Sequence, residues 1–498
     1  ALGRFPIYNL GLAVVWTPGF LLAHGFCKLT GLAAADGMSF PYQLSVVLTS
    51  LLVIFWGFCC LRRFLLARFS DGVVALTLLG IGLGTNLFYY LVEGPDMTHA
   101  YLFSGYAVLL WHFSRGAAER RRSRRWLLAC GLMVGLLCLI RSSEIVVFAL
   151  PALYGLRDGG TLRRNFWRTL TMFGVACCVF SLQLLYYKIG TGAWFRDGYA
   201  GLGFDWLSPH LYEGFFGYRR GWLVYTPLMA FALVGIGWLR KRWLLPILIF
   251  TLANCYLLFS WHIWWYGDTF GSRPVVQSYA VLSLPLAAFL GAVAGARGRT
   301  KKLGRGLVVG LICGCIALNL FQHWQYNQRI IPLDFTNKTY YWHVFGKTTL
   351  DKKDRVYLDT NEKLPDRDWR RQELLAIDTI MAIPPKASRE FTNLLEHRLG
   401  QSKGATWLRN KLVFSYYGET YDKWKFPGVI TEVQREGETI KWVQVKVPPT
   451  METPALDSLR FEISVPEARA GDVLKVYIWN LSQDSMAVRR ARVDLLNN

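Results

Sequence analysis

Four stretches of the chain gather the residue types that acid–base and phosphate chemistry need. The first reads Glu93-Gly94-Pro95-Asp96-Met97-Thr98-His99. Its two carboxylates and imidazole, evenly spaced, could deprotonate a hydroxyl or hold a divalent ion. The same residues also suit a plain turn, with Gly-Pro stopping one helix and Asp96 or Thr98 capping the next. The second, His262-Ile263-Trp264-Trp265-Tyr266-Gly267-Asp268-Thr269-Phe270-Gly271-Ser272-Arg273, is too polar and too glycine-rich to face lipid. Trp264, Trp265 and Tyr266 read either as interfacial anchors or as flat faces for a substrate. Arg273 stands before Pro274 at the mouth of a new helix, where a guanidinium can grip a phosphate through two parallel hydrogen bonds. The third is Arg141-Ser142-Ser143-Glu144, a charged turn inside an apolar hairpin. The fourth is the loop 190–220, with Trp194, Asp197, Tyr199, Asp205, Trp206, His210, Tyr212 and Glu213. Aromatic faces for pyranose C–H groups and carboxylates for hydroxyls are what a sugar site uses, although the loop reads equally as an ordered lid.

Composition says what must position these groups. Of 498 residues, 53% are apolar and only 18% charged, with a mean hydropathy of +0.24. That excludes a disordered chain and an ordinary soluble enzyme and selects a polytopic α-helical membrane protein. Apolar segments run near 8–27, 42–61, 72–92, 98–114, 126–140, 144–156, 167–189, 221–239, 243–262, 274–296 and 305–323. At roughly 20 residues per span, about 10–12 helices are expected.

Lys and Arg collect in alternate connections, at 62–68, 115–125, 157–168, 240–242 and 297–305, where 21 of them lie. Such connections stay cytoplasmic. The formal charge of +22 is therefore a topology signal and not a nucleic-acid footprint, since the clusters abut spans and are not interleaved with stacking aromatics. The other connections, and everything after 323, then face outward. Eight of the eleven acidic residues in 1–323 map to that side: Asp36, Glu93, Asp96, Glu144, Asp197, Asp205, Glu213 and Asp268.

Two segments break the pattern. Residues 126–156 supply 31 residues where two full spans need roughly 40, so the turn at Arg141 is expected below the outer surface. Ionisable groups at that depth face a cavity or each other, and an Arg141–Glu144 pair that neutralises itself is the simpler alternative. Segment 8–27 either crosses from a cytoplasmic N-terminus or is an amphipathic or re-entrant piece after an earlier helix.

All 10 Cys lie within 1–323, mostly in apolar runs, and read as small packing residues. Past 324 the hydropathy drops and the charges nearly balance, with 27 Lys/Arg against 23 Asp/Glu. A mixed helical connector is expected over 324–411, with a helix near 370–383. Short alternating runs at 412–416, 429–433, 440–447, 459–465, 474–479 and 486–495 then predict a small antiparallel β-sandwich over 412–498. The sandwich could bind carbohydrate or serve only as a cap.

Several motifs carry a family likeness: Pro6 to Phe20 with His24; Ser39-Phe40-Pro41-Tyr42-Gln43; Gly84-Thr85 through Tyr89-Tyr90 into the Glu93 stretch; Leu139-Ile140-Arg141; Gly221-Trp222-Leu223-Val224-Tyr225-Thr226-Pro227; Trp264-Trp265-Tyr266-Gly267 through Ser272-Arg273; and Lys475-Val476-Tyr477-Ile478-Trp479-Asn480 in the tail. As a set they resemble the bacterial GT-C glycosyltransferases, near the protein O-mannosyltransferase and lipid A aminoarabinose transferase group. The resemblance covers about residues 5–350. It implies an inverting transfer of a sugar from a polyprenyl-phosphate donor in the membrane to an acceptor on the periplasmic side of a bacterial inner membrane. The acceptor is a protein, a lipid or another glycan, and membrane lipid is the other partner.

In such enzymes a first-loop carboxylate is the general base. Segment 8–27 looks like the part of that loop after the catalytic Asp, which places the expected Asp upstream of Ala1 or transfers its role to Glu93 or Asp96. On this reading Glu93, Asp96 and Asp268 are the catalytic candidates, and Arg141 and Arg273 hold the donor phosphate. His99, Glu144, Asp197, Tyr199, His262, Trp265 and Tyr266 contact substrate. No cofactor is implied with certainty; a divalent cation would suit Glu93, Asp96, His99, His262 and Asp268 if they converge. The competing readings are a transporter or flippase for a lipid-linked glycan and a catalytically inactive scaffold. An inverted repeat and charges near the midplane would favour the transporter, and neither is evident.

Overall fold

The computed structural model describes residues 8–118, 124–156, 161–195, 203–267, 269–295, 299–332, 336–350, 354, 356–359, 362, 364–366, 368–401, 405–416, 426–447, 457–465 and 468–497. They form two compact units, Ala1–Arg329 and Ile330–Asn498.

The first unit is helical: α1 (Gly11–Thr30), α2 (Phe40–Leu66), α3 (Asp71–Leu83), α4 (Leu87–Val92), α5 (Thr98–Ala118), α6 (Arg124–Ile140), α7 (Ala149–Leu153), α8 (Thr161–Thr191), α9 (Leu211–Phe216), α10 (Trp222–Tyr225), α11 (Leu228–Gly235), α12 (Lys241–Phe259), α13 (Tyr279–Gly295) and α14 (Arg299–Asn327). Three 3-10 segments, Ser142–Phe148, Ile236–Trp238 and Arg273–Ser278, join them. Every apolar segment read from the sequence is helical. Among the described residues six helical stretches are long and apolar enough to cross a membrane, with large apolar side chains such as Leu52, Phe55 and Trp56 of α2 turned outward. The chain is an integral membrane protein with a C-terminal β-sheet domain.

Breaks within the expected spans have local causes. Segment 72–92 is interrupted after Leu83, where Gly84 lets α3 approach its neighbours: a Cβ there would stand 3.0 Å from Ile316 and 3.1 Å from Leu228. The carbonyls released by the break are not orphaned, because Asn319 of α14 donates its amide to Leu83 O (2.8 Å) and Thr85 O (2.9 Å). Segment 221–239 is divided at Thr226-Pro227, since proline supplies no N–H to continue the ladder.

Helix α1 starts against the backbone of Ile140 and ends beside Tyr42 in the first turn of α2. Asn9 donates to Ser142 Oγ (3.2 Å), Leu10 N donates to Gln183 Oε1 (2.7 Å), and Trp16 Nε1 donates to Tyr101 OH (2.7 Å). The helix thus packs with its start against the Arg141 turn and its second half against the first turn of α2.

In the second unit a short helix, α15 (Lys338–Val344), is capped by Asn337, whose side chain accepts from Tyr340 N at 2.8 Å. It packs with α16 (Val356–Asp359) over a small core of Ile330, Tyr340 and Val344. Among the described residues nine strands follow: β1 (Arg370–Ile377), β2 (Met381–Ile383), β3 (Phe391–Arg398), β4 (Thr406–Tyr416), β5 (Gly428–Arg435), β6 (Glu438–Lys446), β7 (Asp457–Val465), β8 (Val473–Trp479) and β9 (Met486–Asn497). All pairs are antiparallel; one sheet has the order β1-β9-β4-β7 with β2 also on β9, the other β3-β8-β5-β6. Leu412, Phe414 and Val493 from the first face Val429, Val476 and Ile478 from the second in one shared core.

The helix expected near 370–383 is corrected to β1 and β2. Arg-Arg-Gln-Glu-Leu-Leu-Ala consists of good helix formers, but pairing with β9 lays Leu374, Leu375 and Ile377, half-buried, against the sandwich core, and that tertiary gain exceeds a propensity difference of a few tenths of a kcal/mol per residue. The sandwich accordingly starts at Arg370 and takes in β1 to β3, so the expected connector 324–411 is helical only in its first part.

Candidate active site

Helix α6 ends at Ile140, and Arg141 leaves it with φ −151° and ψ 119° to open the 3-10 segment Ser142–Phe148. That segment and α7 together rise about 21 Å, from roughly 2.0 Å per 3-10 residue and 1.5 Å per α residue, less than the ~30 Å hydrocarbon core. The segment is therefore too short to cross the hydrocarbon core by itself.

Glu144, in this turn, is 1% exposed. It accepts from Tyr106 OH (2.8 Å), Gln277 Nε2 (3.0 Å) and Ser143 Oγ (3.2 Å). Its carboxylate is therefore satisfied by neutral donors, and no ion pair joins it to Arg141 among the described residues. Arg141 Nη1 is buried and has no hydrogen-bond partner there, while its guanidinium carbon lies 5.7 Å from the centre of the Tyr266 ring. Arg141 nevertheless lies near enough to Glu144 to act on its carboxylate electrostatically.

Gln277 ties the turn to the opposite wall. It lies four residues after Arg273 in Arg273–Ser278, and its Oε1 lies 3.3 Å from His99 Nδ1. Since Gln277 spends its N–H on Glu144, its oxygen must face His99; the imidazole then carries its proton on Nδ1 and leaves Nε2 as an acceptor. Arg141 and Arg273 both lie close enough to His99 to act on it electrostatically, and Arg273 also acts on Tyr90. Tyr90 covers the imidazole with ring centres 5.1 Å apart. Arg273 has no carboxylate partner among the described residues.

The approach to Arg273 is fixed from below. Asn86, in the gap between α3 and α4, donates to Phe270 O (3.2 Å) and Ser272 O (3.0 Å) and accepts from Tyr279 OH (2.6 Å). Tyr266 has φ 57° and is followed by Gly267 at φ 74°. A non-glycine residue in that region costs about 1–2 kcal/mol, which here turns the Tyr266 ring toward Arg141 while its hydroxyl donates to Leu258 O (2.9 Å).

The other expected residues divide. Glu93 is exposed and anchored on α14, accepting from Asn327 Nδ2 at 2.9 Å with His323 Nε2 4.0 Å away. Asp96 is exposed and caps nothing among the described residues. His262 points to Asp205, whose Oδ2 lies 3.0 Å from both His262 Nδ1 and His210 Nε2. Those contacts, His210 first, hold the Asp205 carboxyl below its usual range. Trp265 takes the Arg219 guanidinium over its ring at 3.6 Å. Asp197, Tyr199 and Asp268 lie outside the described residues. The convergence that a divalent ion would need is not present: among the described residues, no three His, Cys, Asp or Glu side chains are arranged to hold a metal.

A cavity of about 480 Å³ begins one residue beyond Glu144, lined by Ile145, Phe148, Leu153, Phe166, Leu170 and Phe173. It is almost wholly apolar. A larger one of about 580 Å³ lies at the opposite end of the helices, beside Arg68, Arg240 and Trp243, away from this chemistry.

No family model matches the chain, and no curated protein does. Solved structures similar to it include the Archaeoglobus fulgidus oligosaccharyltransferase AglB, solved with an inhibitory peptide and a dolichol-phosphate, at 12% identity and TM-score 0.41 over 72% of this chain and 52% of that one. ArnT from Cupriavidus metallidurans in the apo state is 17% identical with TM-score 0.37, over 60% of this chain and 51% of that one. The Gt strain of infectious bursal disease virus matches 26% of this chain and 32% of that one, at 13% identity and TM-score 0.21. The chain thus spans about half the length of the first two and a third of the virus protein.

Proposed function

We propose that this protein is a membrane glycosyltransferase that moves a sugar from a polyprenyl-phosphate donor to an acceptor hydroxyl on the extracytoplasmic side. The observation that supports the reading is the pair Arg141 and Arg273: among the described residues neither makes a salt bridge to a carboxylate, and both act electrostatically on His99. Cations placed so in an apolar helical body call for an anion, and a lipid-borne phosphate is the anion a membrane delivers there. The apolar cavity that opens beside Glu144 would take the isoprenoid chain.

In the transfer, Glu93 or Asp96 takes the proton of the acceptor hydroxyl, the acceptor oxygen bonds to the anomeric carbon, and the bond from that carbon to the phosphate oxygen breaks. Polyprenyl phosphate leaves with the electron pair. Arg141 and Arg273 stabilise the charge that grows on it, while Glu144 and Gln277 hold His99 with Nε2 toward the substrate. Asp197, Tyr199, His262, Trp265 and Tyr266 remain proposed contacts, and Asp268 a further proposed carboxylate.

Purified protein given a polyprenyl-phosphate sugar labelled in the sugar should release unlabelled polyprenyl phosphate only when an acceptor is present. Arg273→Ala should slow that release by about 100-fold or more, the usual cost of losing one stabilising donor. Movement of intact labelled lipid between leaflets without cleavage would replace the transferase reading with a flippase.

A further inference from the structure

The larger cavity, of about 580 Å³, is walled by the ends of three helical stretches long and apolar enough to cross a membrane. Arg68 lies two residues past the end of α2, Arg240 is the N-cap of α12, and Gly291, Ala292 and Gly295 belong to the last turns of α13. Where three spans end together the apolar layer ends as well, which puts this cavity at a membrane–water boundary. It is the boundary to which the Lys and Arg clusters at 62–68 and 240–242 belong.

Two cations meet there. Arg68 is held in place: its Nη1 donates to Phe64 O, and its guanidinium carbon lies 4.1 Å from the centre of the Phe64 ring and 5.6 Å from that of Trp243. Stacking fixes the plane of a guanidinium and leaves its other N–H groups free to donate at the edge. Arg240 is exposed and near enough to act on Arg68 as a like charge. Among the described residues, neither makes a salt bridge to a carboxylate, and the nearby Asp71 turns to Arg62 at 3.1 Å.

Two helix starts add to them. Ser70 and Arg240, the N-caps of α3 and α12, both line the cavity, and neither side chain caps its own helix. The first-turn N–H groups of both helices are thus left for another acceptor, and the positive ends of two helix dipoles reinforce the arginines. The remaining wall is apolar: Val73, Leu239 and Leu284 stand beside the small residues of α13, with Trp238, 54% exposed, alongside. A soluble phosphate would use the cations and leave that wall bare. A phospholipid uses both, since its phosphate sits at the boundary and its chains run down into the apolar layer.

We propose that this cavity is a binding site for an anionic glycerophospholipid, whose phosphate is held between Arg68 and Arg240 and whose chains lie along the small residues of α13. It is separate from the transfer site and does not depend on the transferase reading.

Full-length protein in non-ionic detergent, titrated with phosphatidylglycerol and with phosphatidylcholine of the same chains and followed by native mass spectrometry, tests this. Phosphatidylglycerol should bind more tightly by about tenfold or more, and Arg68→Gln and Arg240→Gln should each weaken it by about fivefold, the effect of one cation near a lipid headgroup. Arg240 is exposed, so its variant tests the site even if Arg68→Gln fails to fold. Ala292→Phe, which narrows the cavity without touching a charge, should also weaken binding. Arg63→Gln, which removes an equal charge from outside the cavity, should leave it unchanged, as should Arg273→Ala at the transfer site. Equal affinity for the two lipids, a preference that survives the Arg68→Gln/Arg240→Gln double variant, or a loss in Arg63→Gln as large as in Arg240→Gln overturns the proposal. Displacement of the lipid by millimolar inorganic phosphate would give the site to a soluble anion and overturn it too.

Discussion

Glu144 and Arg141 sit three residues apart and make no direct hydrogen-bonded ion pair among the described residues, because Tyr106, Gln277 and Ser143 already occupy the carboxylate. That leaves the arginine available for an external anion. Gln277 is the joint of this arrangement, and Gln277→Leu, close in size, should leave Glu144 short of a donor and His99 short of an acceptor. A loss of about 1–3 kcal/mol is expected for a buried polar group so abandoned, read as a lower melting temperature in detergent together with slower transfer. An unchanged melt and rate would remove Gln277 from the site. In the sequence Arg141 stood out because a guanidinium inside an apolar hairpin costs enough to demand a reason, and Arg273 because it precedes Pro274 at the mouth of a helix; their joint role as a phosphate site is what we propose. Gln277 and Asn86 were missed: a neutral amide in an apolar run leaves almost no hydropathy signal, and only the four-residue spacing from Arg273 to Gln277 pointed to it. His262 and Trp265 were drawn from a motif that the fold splits, sending one to Asp205 and the other to Arg219.

Among the elements, those that bend are the ones nearest the chemistry. The gap between α3 and α4 places Asn86 under the Ser272 carbonyl, and Asn319 of α14 keeps that gap open by pairing the freed carbonyls. Asn319→Ala should cost about 1–3 kcal/mol and loosen the approach to Arg273, so that thermal stability and transfer fall together; loss of neither would show the break to be self-sustaining. The loop before α9 is tied down differently, by Asp205 between His210 and His262. Its carboxyl is depressed below its ordinary 3.8, so the stabilising contribution is complete above that value and disappears as pH falls through the lower, folded one. Amide exchange at Phe204 to His210 should therefore stay constant from neutral pH to about 4, apart from the intrinsic rate, and lose its protection only in stronger acid. Asp205→Asn should expose the loop across that range; protection that survives the substitution contradicts the tie. Hydropathy located the spans but not these interruptions, which depend on partners far away in the chain. The same blindness made a helix of β1, whose register is dictated by β9 more than a hundred residues later.

At the scale of the molecule, the sequence divided correctly into a helical membrane body and a polar domain of β-structure, because the drop in hydropathy and the change to period-two alternation are strong signals. The sandwich boundary was less legible, since β1 to β3 are poor in β-branched residues and declare themselves only through pairing. The alternating Lys and Arg clusters predict a single orientation for the helical body. In a cysteine-free background, Ser208→Cys should react with an impermeant maleimide added outside intact cells and Ser70→Cys should not; the reverse pattern would invert the topology and place the Arg141 turn on the cytoplasmic side.

The central claim is that Arg141 and Arg273 together form an anion site for a lipid phosphate. Its most direct test is the affinity of nanodisc-embedded protein for polyprenyl phosphate compared with the uncharged polyprenol. The wild type should prefer the phosphate by about 100-fold, with Arg141→Ala and Arg273→Ala each removing about tenfold of that preference. Equal affinity for the two lipids, or a preference that survives both substitutions, would contradict the account.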